Sequence, residues 1–465
     1  FYTAVQNRLV FASEMKAIFA APSVRAAIDP VALDQIFTYW SPRAPFTIFK
    51  DVYQVPPGHY MLVENGVPRI QPYWQLSFPE EAGCKERERP FVDYLAEFQD
   101  LLIDATRIRL RADVPVGAYL SGGLDSSTTT AVIRRYTTNH LATFSVAFDN
   151  PAYDESVYQQ RMASFLGTDH AVTRIADADI GELFPEVIWH TETPILRTAP
   201  APLYRLAALV REHGYKVVVT GEGADEFLAG YNIFKEAMVR RFWARQPDSE
   251  LRPLLLNRLY PYIGNLSLSG GASLMAFFRR NLTDVTAPDY SHQVRWQNTA
   301  RIKRFFAAEV TAVLPPLEPL SLPSGFGRWH PLHRAQYLEA TIFLPQYLLS
   351  SQGDRMSMAH AVEGRYPFLD HRLIDFCNHL PPRLKLFGLQ EKFLLKKLAQ
   401  AWLPGDICRR TKQPYRAPIH RSFFFPAPPD YVRELLSPEK IKSVGLFRET
   451  AVSRLLQKIE HGLPI

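Results

Sequence analysis

The sequence predicts an α/β protein with a parallel, doubly wound sheet, followed by a mainly helical C-terminal part and preceded by a shorter mixed unit. Between residues 91 and 230, the strand-like runs VGAYL, ATFSVAF and KVVVTG alternate with segments of helical periodicity. This alternation is typical of a parallel sheet covered by helices on both faces. From about Tyr231 onward, apolar residues recur mainly at helical spacing, interrupted by proline-rich loops such as AVLPPLEPLSLP. Residues 1–78 mix short strand and helix signals and are too few for a complete domain of this kind.

The composition is that of a globular protein with a large core. The chain has 465 residues, of which 47% are hydrophobic and 22% charged, which suits two or three domains. No window approaches the ~18 consecutive apolar residues of a membrane span. The three cysteines are far apart and form no CxxC pair, so we expect neither a disulfide framework nor a zinc site, and a reducing cytoplasm. A net charge of +6 suits anionic ligands such as nucleotides, but also a mildly basic surface.

The first 78 residues contain three local structure signals. RLVFAS alternates like a strand, and EMKAIFA after it has helical spacing. DPVALDQIFTYW begins with an aspartate before a proline, which is a helix-opening signal. HYMLVENGVPRIQPYW places two apolar runs on either side of Asn65-Gly66, which predicts a hairpin.

A charged segment separates this unit from the rest of the chain. FPEEAGCKERERP lacks apolar periodicity, and we interpret it as a linker over residues 79–90. The long helical pattern of FVDYLAEFQDLLIDATRIRL then opens the main domain, residues 91–465. Because the chain begins FYTAVQNRLVF, without methionine or a leader, we expect further sequence upstream.

The stretch VPVGAYLSGGLDSSTTTAVI predicts an anion-binding loop. Val114–Leu120 is a short strand, and the Ser/Thr-rich residues after it lead into a helix. In a parallel sheet, ligands bind beyond the carboxyl ends of the strands, where helices begin. Ser121–Gly123 can bring backbone N–H groups close to an anion, because glycine tolerates positive φ and carries no side chain. Ser126 and Ser127 fall in the first helical turn, where hydroxyls and the helix dipole favour phosphate.

Asp125 makes this loop unusual. A carboxylate would repel a bare phosphate, so its presence predicts a Mg²⁺ ion that bridges it to the ligand. The loop is not a Walker P-loop, since no lysine precedes the hydroxyl residues.

A second candidate site follows another buried strand, in KVVVTGEGADEFLAGY. Glu222, Asp225 and Glu226 crowd at a glycine-punctuated turn, where like charges repel one another. The start of a helix accounts for Asp225 or Glu226. It does not account for Glu222 between two glycines, which makes Glu222 a candidate for chemistry.

These motifs resemble a known family. SGGLDSS is similar to the SGGxDS pyrophosphate loop of the ATP pyrophosphatases. A longer set of motifs resembles the glutamine-hydrolysing asparagine synthetases of the AsnB type, and it comprises PPGHYMLVENG, DVPVGAYLSGGLDSS, TFSVAF, LGTDH, TGEGADEFLAGY, DRMSMAHAVEGRYPFLDHRL and RRTKQPYRAP. The resemblance implies a HUP (adenine nucleotide alpha hydrolase-like) synthetase domain. It also implies that residues 1–78 are the C-terminal remnant of an α+β class II glutaminase (Ntn) domain.

The resemblance also assigns roles to individual residues. Asp125 and Asp225 would hold Mg²⁺, and Glu222 would be the acid/base group near the attacking ammonia. Lys412 and Lys392 would stabilise the departing pyrophosphate, although either lysine alone reads as a surface charge. The residues expected to contact ATP or its pyrophosphate are Tyr119, Leu120, Ser121, Gly122, Gly123, Leu124, Asp125, Ser126, Ser127, Val146, Thr220 and Gly221.

Two departures from the family pattern limit the assignment. Class II glutaminases use an N-terminal cysteine whose own α-amine is the base, and no cysteine lies near Phe1. The nitrogen would therefore come from free ammonia, or from glutamine through the missing glutaminase portion. In the segment Gln346–Met358 the sequence reads Leu-Leu-Ser-Ser close to a position where many members are acidic. This segment lies near the acceptor pocket in the family, and KQPYRAP is an unusual version of the lysine motif.

The resemblance implies an ATP-dependent ligase that adenylates the side-chain carboxylate of aspartate and lets ammonia displace AMP to give asparagine. One alternative is the same chemistry on another carboxylate in a specialised biosynthetic pathway, or ring closure as in the β-lactam synthetases. A tRNA-modifying relative would carry a basic, aromatic-rich arm or a cysteine module, and neither is evident. A non-catalytic scaffold conflicts with the presence of all the acidic and basic site residues. We expect a cytoplasmic protein that binds neither nucleic acid nor membranes, and a homodimer is one assembly that suits it.

Overall fold

The computed structural model describes residues 1–6, 8–81, 89–137, 141–260 and 271–461. Most of the predicted linker (residues 82–88, with Cys84) lies outside the described residues. No helix within the described ranges is long and apolar enough to cross a bilayer.

Small antiparallel elements occupy the first 78 residues. β1 (Tyr2–Val5) pairs with β2 (Arg8–Phe11), and β3 (His59–Glu64) pairs with β4 (Val67–Pro72) across the predicted Asn65-Gly66 turn. The two helices are α1 (Met15–Ile18) and α2 (Pro30–Tyr39). The side chain of Asp29 caps α2 by accepting a hydrogen bond from the Val31 N–H at 2.8 Å, which removes one of the unpaired donors of the first turn. The strand, helix and hairpin predictions for this region are confirmed.

A parallel sheet forms the centre of the main domain. Within the described residues its strand order is β7-β6-β5-β8-β9, and all neighbouring pairs are parallel. The strands are β5 (Val116–Tyr119), β6 (Ala142–Phe148), β7 (Asp169–Ile175), β8 (Val217–Val219) and β9 (Glu363–Arg365). The sequence predicted β5, β6 and β8. It missed β7, in which Ile175 is the one buried residue, and β9, which has only three residues and two charges.

Helices cover both faces of this sheet, as the sequence predicts. They are α3 (Phe91–Arg109), α4 (Leu124–Tyr136), α5 (Ser156–Leu166), α6 (Asp177–Thr191) and α7 (Pro200–Glu212). Successive residues of a strand point to opposite faces. Val218 accordingly packs in one apolar cluster with Leu209 of α7, whereas Val217 and Val219 pack in another with Ile133 of α4.

Helices dominate the chain after the sheet strand β8. In chain order they are α8 (Ala224–Phe227), α9 (Asn232–Ala244), α10 (Gly271–Arg279), α11 (Gln293–Ala300), α12 (Ala308–Ala312), α13 (Pro331–Leu338), α14 (Arg355–Met358), α15 (His371–His379), α16 (Pro382–Lys385), α17 (Phe393–Ala399), α18 (Gly405–Arg409), α19 (His420–Phe424), α20 (Asp430–Leu435), α21 (Pro438–Val444) and α22 (Glu449–Glu460). Short 3₁₀ turns occur at Arg252–Arg258, Arg301–Phe305, Phe326–Arg328 and Pro367–Leu369.

A π-helix spans Glu339–Asp354 and contains Pro345. π-helices are rare in proteins, and those that do occur are often found at functional sites. This one includes most of the segment Gln346–Met358, in which the sequence departs from the family pattern.

The largest apolar cluster joins the strand ends to the C-terminal helices. Leu120 after β5 and Leu228 after α8 belong to the same buried cluster as Leu394 and Leu395 of α17. The removal of this apolar surface from water is the main force that holds α17 against the carboxyl edge of the sheet. The sequence around Lys392 is thereby brought next to the loops that follow β5 and β8.

Candidate active site

Two loops lie side by side at the carboxyl ends of β5 and β8. Ala118 and Val219 are register partners in these neighbouring strands, so the chain leaves both strands at the same edge. A Cβ atom on Gly221 would come within 2.9 Å of the Ser126 nitrogen and 3.0 Å of the Asp125 Cβ. Contacts that short exclude a side chain, and glycine at this position lets the two loops approach each other.

The first loop has the predicted turn and helix start. Gly122 has φ +71°, and a Cβ there would lie 2.6 Å from the Tyr158 backbone, so glycine is required on both counts. Ser121 Oγ and Ser126 Oγ are 2.9 Å apart, and the Gly123 N–H lies 3.3 Å from Ser121 Oγ. The loop leads into α4 at Leu124, so its serine hydroxyls lie at a helix N-terminus.

The remaining predicted nucleotide contacts are more buried. Ser127 is fully buried, and its hydroxyl has no hydrogen-bond partner among the described residues. Leu120 is fully buried as well, and its N–H donates to the Phe144 carbonyl at 3.0 Å. The Val146 carbonyl accepts from Gln159 Nε2 at 2.9 Å. The Thr220 N–H donates to the Arg365 carbonyl at 2.9 Å. Burial raises the pKa of Tyr119 to about 12.

Two lysines bridge the two aspartates of the loops. Lys392 Nζ lies 2.5 Å from Asp125 Oδ2 and 2.6 Å from Asp225 Oδ1. Lys412 Nζ lies 2.6 Å from Asp225 Oδ2 and 3.9 Å from Asp125 Oδ2. Opposite charges therefore alternate among Asp125, Asp225, Lys392 and Lys412. We call this site at the carboxyl ends of β5 and β8 the crevice. The sequence assigned these lysines by resemblance alone, and the fold places both of them at the loops.

The surroundings shift the pKa values of these groups in different directions. Burial and the neighbouring Asp225 raise the pKa of Asp125, although both lysines oppose the shift. Burial alone would also raise the pKa of Asp225, but Lys392 and Lys412 together outweigh it and lower that pKa. Burial would lower the pKa of Lys412, but the carboxylates of Asp225, Asp125 and Glu222 raise it far more. Lys412 therefore stays cationic at neutral pH.

Glu222 has a pKa near neutrality. Burial is the largest cause, and the charges of Asp225 and Asp125 add to it against the attraction of Lys412, so that the pKa is raised to about 7. A carboxyl group with this pKa can both accept and return a proton at neutral pH. The sequence argument singled out Glu222 because it lies between two glycines, and its environment supports that choice.

Glu226, the third acidic residue of the turn, is hydrogen-bonded to a tyrosine. It is fully buried, accepts a hydrogen bond from the Tyr231 hydroxyl at 2.8 Å, and has a pKa raised to about 8 by burial and the nearby carboxylates. It is therefore mainly protonated at neutral pH, and its position suits a structural role.

The predicted Mg²⁺ site can be tested against the carboxylates present. Among the described residues, no group of three or more His, Cys, Asp or Glu side chains could hold a metal by themselves. Protein-bound Mg²⁺ commonly uses only one or two carboxylates, with phosphate oxygens and waters completing its shell. Asp125 Oδ1 is buried without a hydrogen-bond partner among the described residues. Asp125 and Asp225 therefore fit a Mg²⁺ ion that arrives with a phosphate ligand.

Three residues that the sequence analysis did not single out lie near one another, and one of them, Tyr415, also lies near Glu222. The guanidinium of Arg197 lies 4.5 Å from the centre of the Trp40 ring, and no described carboxylate forms an ion pair with it. Tyr347, in the π-helix, and Tyr415 both have buried hydroxyls without a hydrogen-bond partner among the described residues. Burial raises the pKa of Tyr415, and the nearby Glu155, Tyr119, Tyr347 and Glu222 add to that shift.

A hydrogen bond from a side chain to the backbone links the segment of Arg197 to the segment of Lys412. Thr198 Oγ1 donates to the Pro418 carbonyl at 2.8 Å, so the segment of Arg197 is fixed to the segment that contains Lys412 and Tyr415. No local sequence pattern marks Arg197, because an arginine with a tertiary role looks like a surface charge. The segment Gln346–Met358, in which the sequence departs from the family pattern, was the available signal for this group of residues. It contains Tyr347.

Replacing Gly230 with alanine is expected to destabilise this site. A Cβ on Gly230 would lie 1.9 Å from Asp225 Oδ1 and 2.2 Å from Lys392 Cε, so the Asp225–Lys392 ion pair would have to move. Overpacking of this kind costs about 1–3 kcal/mol. Urea unfolding would measure the loss. Gly327→Ala is the matched control, since a Cβ there meets nothing within 4 Å. Equal stabilities of the two variants would contradict the packing described here.

Comparison with known proteins gives two family matches. The family described as "Asparagine synthase" matches residues 97–463, and the family described as "Glutamine amidotransferase domain" matches residues 1–74. The chain is 30% identical to Amidase chyE of Penicillium rubens, over 98% of this chain and 71% of that protein. It is 29% identical to Amidase chry2 of Gibberella zeae, over 96% of this chain and 69% of that protein. It is 28% identical to Asparagine synthetase [glutamine-hydrolyzing] 1 of Bacillus subtilis, over 90% of this chain and 64% of that protein.

Proposed function

The chain belongs to the asparagine synthase family, and from this premise we propose that it is an ATP-dependent amide ligase that activates a carboxylate by adenylation. The observation that carries the proposal is the convergence of Asp125, Asp225, Glu222, Lys392 and Lys412 in one crevice at the carboxyl ends of β5 and β8. Ligands of parallel sheets bind at this edge. The acceptor carboxylate attacks the α-phosphate of ATP, pyrophosphate leaves, and ammonia then displaces AMP.

The loop after β5 and the two lysines, Lys392 and Lys412, have different roles in the first step. Ser121–Gly123 and the start of α4 receive the β- and γ-phosphates through backbone N–H groups and hydroxyls. Lys392 and Lys412 then supply positive charge where negative charge develops on the departing pyrophosphate. A Mg²⁺ ion held by Asp125 and Asp225 would add charge neutralisation at the same phosphates. Lys392 and Lys412, which contact these carboxylates, would lie next to the same phosphates.

Glu222 serves the second step. As ammonia forms the C–N bond and the C–O bond to AMP breaks, the nitrogen must lose one proton to become a neutral amide. Glu222 accepts that proton, because its pKa of about 7 leaves a large share of it ionised at neutral pH.

The acceptor that the family suggests is aspartate, whose side-chain carboxylate would be amidated to give asparagine. The alternative is another carboxylate in a specialised biosynthetic pathway. Two observations favour it: two of the relatives are named amidases, and the π-helix presents Tyr347 on the acceptor side. Arg197, which has no acidic partner among the described residues, would bind a second anionic group of the acceptor.

A panel of carboxylic acids should separate these acceptors. We expect acid-dependent release of pyrophosphate from ATP, strongest for acids that carry a second anionic group at a distance that lets it meet Arg197. The measurement is pyrophosphate release in the presence of Mg²⁺ and ammonia, with aspartate, aromatic acids, dicarboxylates and their monoacid analogues. Release with another acid but not with aspartate would remove the asparagine assignment. Absence of release with every acid would contradict the amide-ligase proposal itself.

The nitrogen source and the organisation of the whole protein also belong to this proposal. Residues 1–74 match a glutamine amidotransferase family, and we propose that ammonia comes from glutamine through a glutaminase portion, or from free ammonia. The boundaries at residues 1–78, 79–90 and 91–465 remain predictions. So do the HUP class of the sheet, the cytoplasmic location and the homodimer.

A further inference from the structure

A second cluster of buried charges lies next to the chain segments that carry Lys392 and Lys412. Glu391 Oε2 is 2.6 Å from Lys235 Nζ of α9, and Glu391 Oε1 is 2.7 Å from Lys396 Nζ of α17. The exposed fraction of each of the three residues is 6% or less. Burying three charges in this way carries a large desolvation cost, which makes simple stabilisation a weak reason for the cluster.

Glu391 is connected to both lysines of the crevice. It precedes Lys392 in the chain, and Lys392 has φ +52°, a conformation that costs a non-glycine residue free energy and persists where the surroundings impose it. The Lys392 N–H donates to the Leu228 carbonyl at 3.2 Å. Glu391 Oε1 also accepts a hydrogen bond from the backbone N–H of Lys412 at 3.3 Å. Glu391 therefore holds the backbone of Lys412 through its carboxylate and is the chain neighbour of Lys392.

The charge balance of the cluster keeps Glu391 from competing with Asp125 and Asp225 for the side chains of Lys392 and Lys412. Burial opposes ionisation of Glu391, but Lys235 and Lys396 together outweigh it and lower the pKa to about 2. Glu391 is thus an anion with two cations of its own, and the cluster has a net charge of +1. Without Lys235 and Lys396, the carboxylate would attract the side chains of Lys392 and Lys412 away from Asp125 and Asp225.

We propose that Glu391, held by Lys235 and Lys396, is a positioning residue that presents Lys392 and Lys412 to the departing pyrophosphate. The inference rests on the proposed function, since it assumes that the crevice releases pyrophosphate. It assigns Glu391 no contact with substrate. Loss of Glu391 should therefore weaken the handling of pyrophosphate and leave recognition of the acceptor carboxylate unchanged.

Glu391→Gln tests this assignment, because glutamine keeps the shape and the hydrogen-bond acceptor but removes the charge. We expect kcat to fall at least about tenfold and the affinity for Mg²⁺-pyrophosphate, measured by calorimetry, to fall about tenfold. The KM for the acceptor should stay within about twofold. Glu236→Gln is the matched control: Glu236 is a buried, ion-paired carboxylate next to Lys235 on α9, bonded to Arg295 and Tyr260 instead, and its loss should leave the affinity for pyrophosphate unchanged.

A charge-balanced variant covers the case in which Glu391→Gln does not fold. Glu391→Gln combined with Lys396→Met removes one charge of each sign, and we expect this protein to fold and to bind Mg²⁺-pyrophosphate as weakly as the single variant. Wild-type affinity in either folded variant would overturn the inference. Equal weakening in Glu236→Gln would overturn it as well, because the effect would then follow stability alone. Calorimetry needs no turnover, so these outcomes stay distinct from a failure of the wild type to release pyrophosphate with any acid.

Discussion

Replacing Asp125 with alanine is expected to lower acceptor-dependent pyrophosphate release by about 10³-fold while the sheet remains folded. Asp125 Oδ2 is the contact shared by Lys392 and, more distantly, Lys412, and Asp125 Oδ1 is the buried oxygen that suits Mg²⁺. Without Asp125, Lys392 and Lys412 would keep Asp225 as their partner among the two aspartates. One of the two proposed metal ligands would also be lost. The measurement is pyrophosphate release at saturating ATP, together with circular dichroism to verify the fold.

The matched control for Asp125→Ala is Asp113→Ala. Asp113 is exposed and lies before β5, at the end of the strand opposite the crevice, so its loss should leave both the rate and the stability unchanged. Full activity in Asp125→Ala would refute the site assignment. A large loss in both variants would mean that the assay reports stability instead of chemistry.

The parts of the site that sequence reasoning predicted are encoded locally. In VPVGAYLSGGLDSS the strand, the turn and the helix start are adjacent in the chain, and Gly122 is needed for a positive φ within that turn. Glu222 was conspicuous because no helix-capping argument explained it. In both cases the chemistry of a few neighbouring residues determines the backbone.

The parts that local sequence patterns could not predict, including Lys392, which the family resemblance assigned, depend on tertiary contacts. Lys392 lies 267 residues from Asp125 along the chain, and only the apolar packing of α17 against the strand ends brings them together. The same holds for Lys235 and Glu391, which look like surface charges when read in sequence. Strands β7 and β9 escaped detection for a related reason, since the neighbouring strands, rather than their own apolar pattern, define them.

The N-terminal unit contributes a residue to the group around Arg197 and Tyr347, where we propose that the acceptor binds. Trp40 contacts Arg197 and lies 5.9 Å from the Tyr347 ring, ring centre to ring centre. Glu192 accepts hydrogen bonds from the backbone N–H groups of Met15 and Lys16 at 2.9 and 2.7 Å, which fixes α1 against the main domain. The proposed acceptor site therefore combines residues before and after the predicted linker. This explains physically why its specificity could not be predicted from either unit alone.

Replacing Glu222 with glutamine is expected to lower the rate of amide formation by about 10²–10⁴-fold. The wild-type rate should rise with pH through about 7 and then level off, because only the ionised form of Glu222 accepts the proton and burial raises its pKa to about 7. The sign follows from the role: a base gains activity as pH rises through its pKa. Glu222→Gln should lose this rise along with the rate. The measurement is amide formation between pH 5.5 and 8.5.

The concentration of neutral ammonia itself rises with pH, so total ammonium must be adjusted to hold it constant across the series. Hydroxylamine provides a second control, since it is largely unprotonated at neutral pH and a stronger nucleophile. Because Glu222 acts on the attacking nitrogen, Glu222→Gln should retain more of its activity with hydroxylamine than with ammonia, and its initial adenylation should persist. A variant that lost adenylation and amide formation equally would place Glu222 in the nucleotide site and would remove its role as the base.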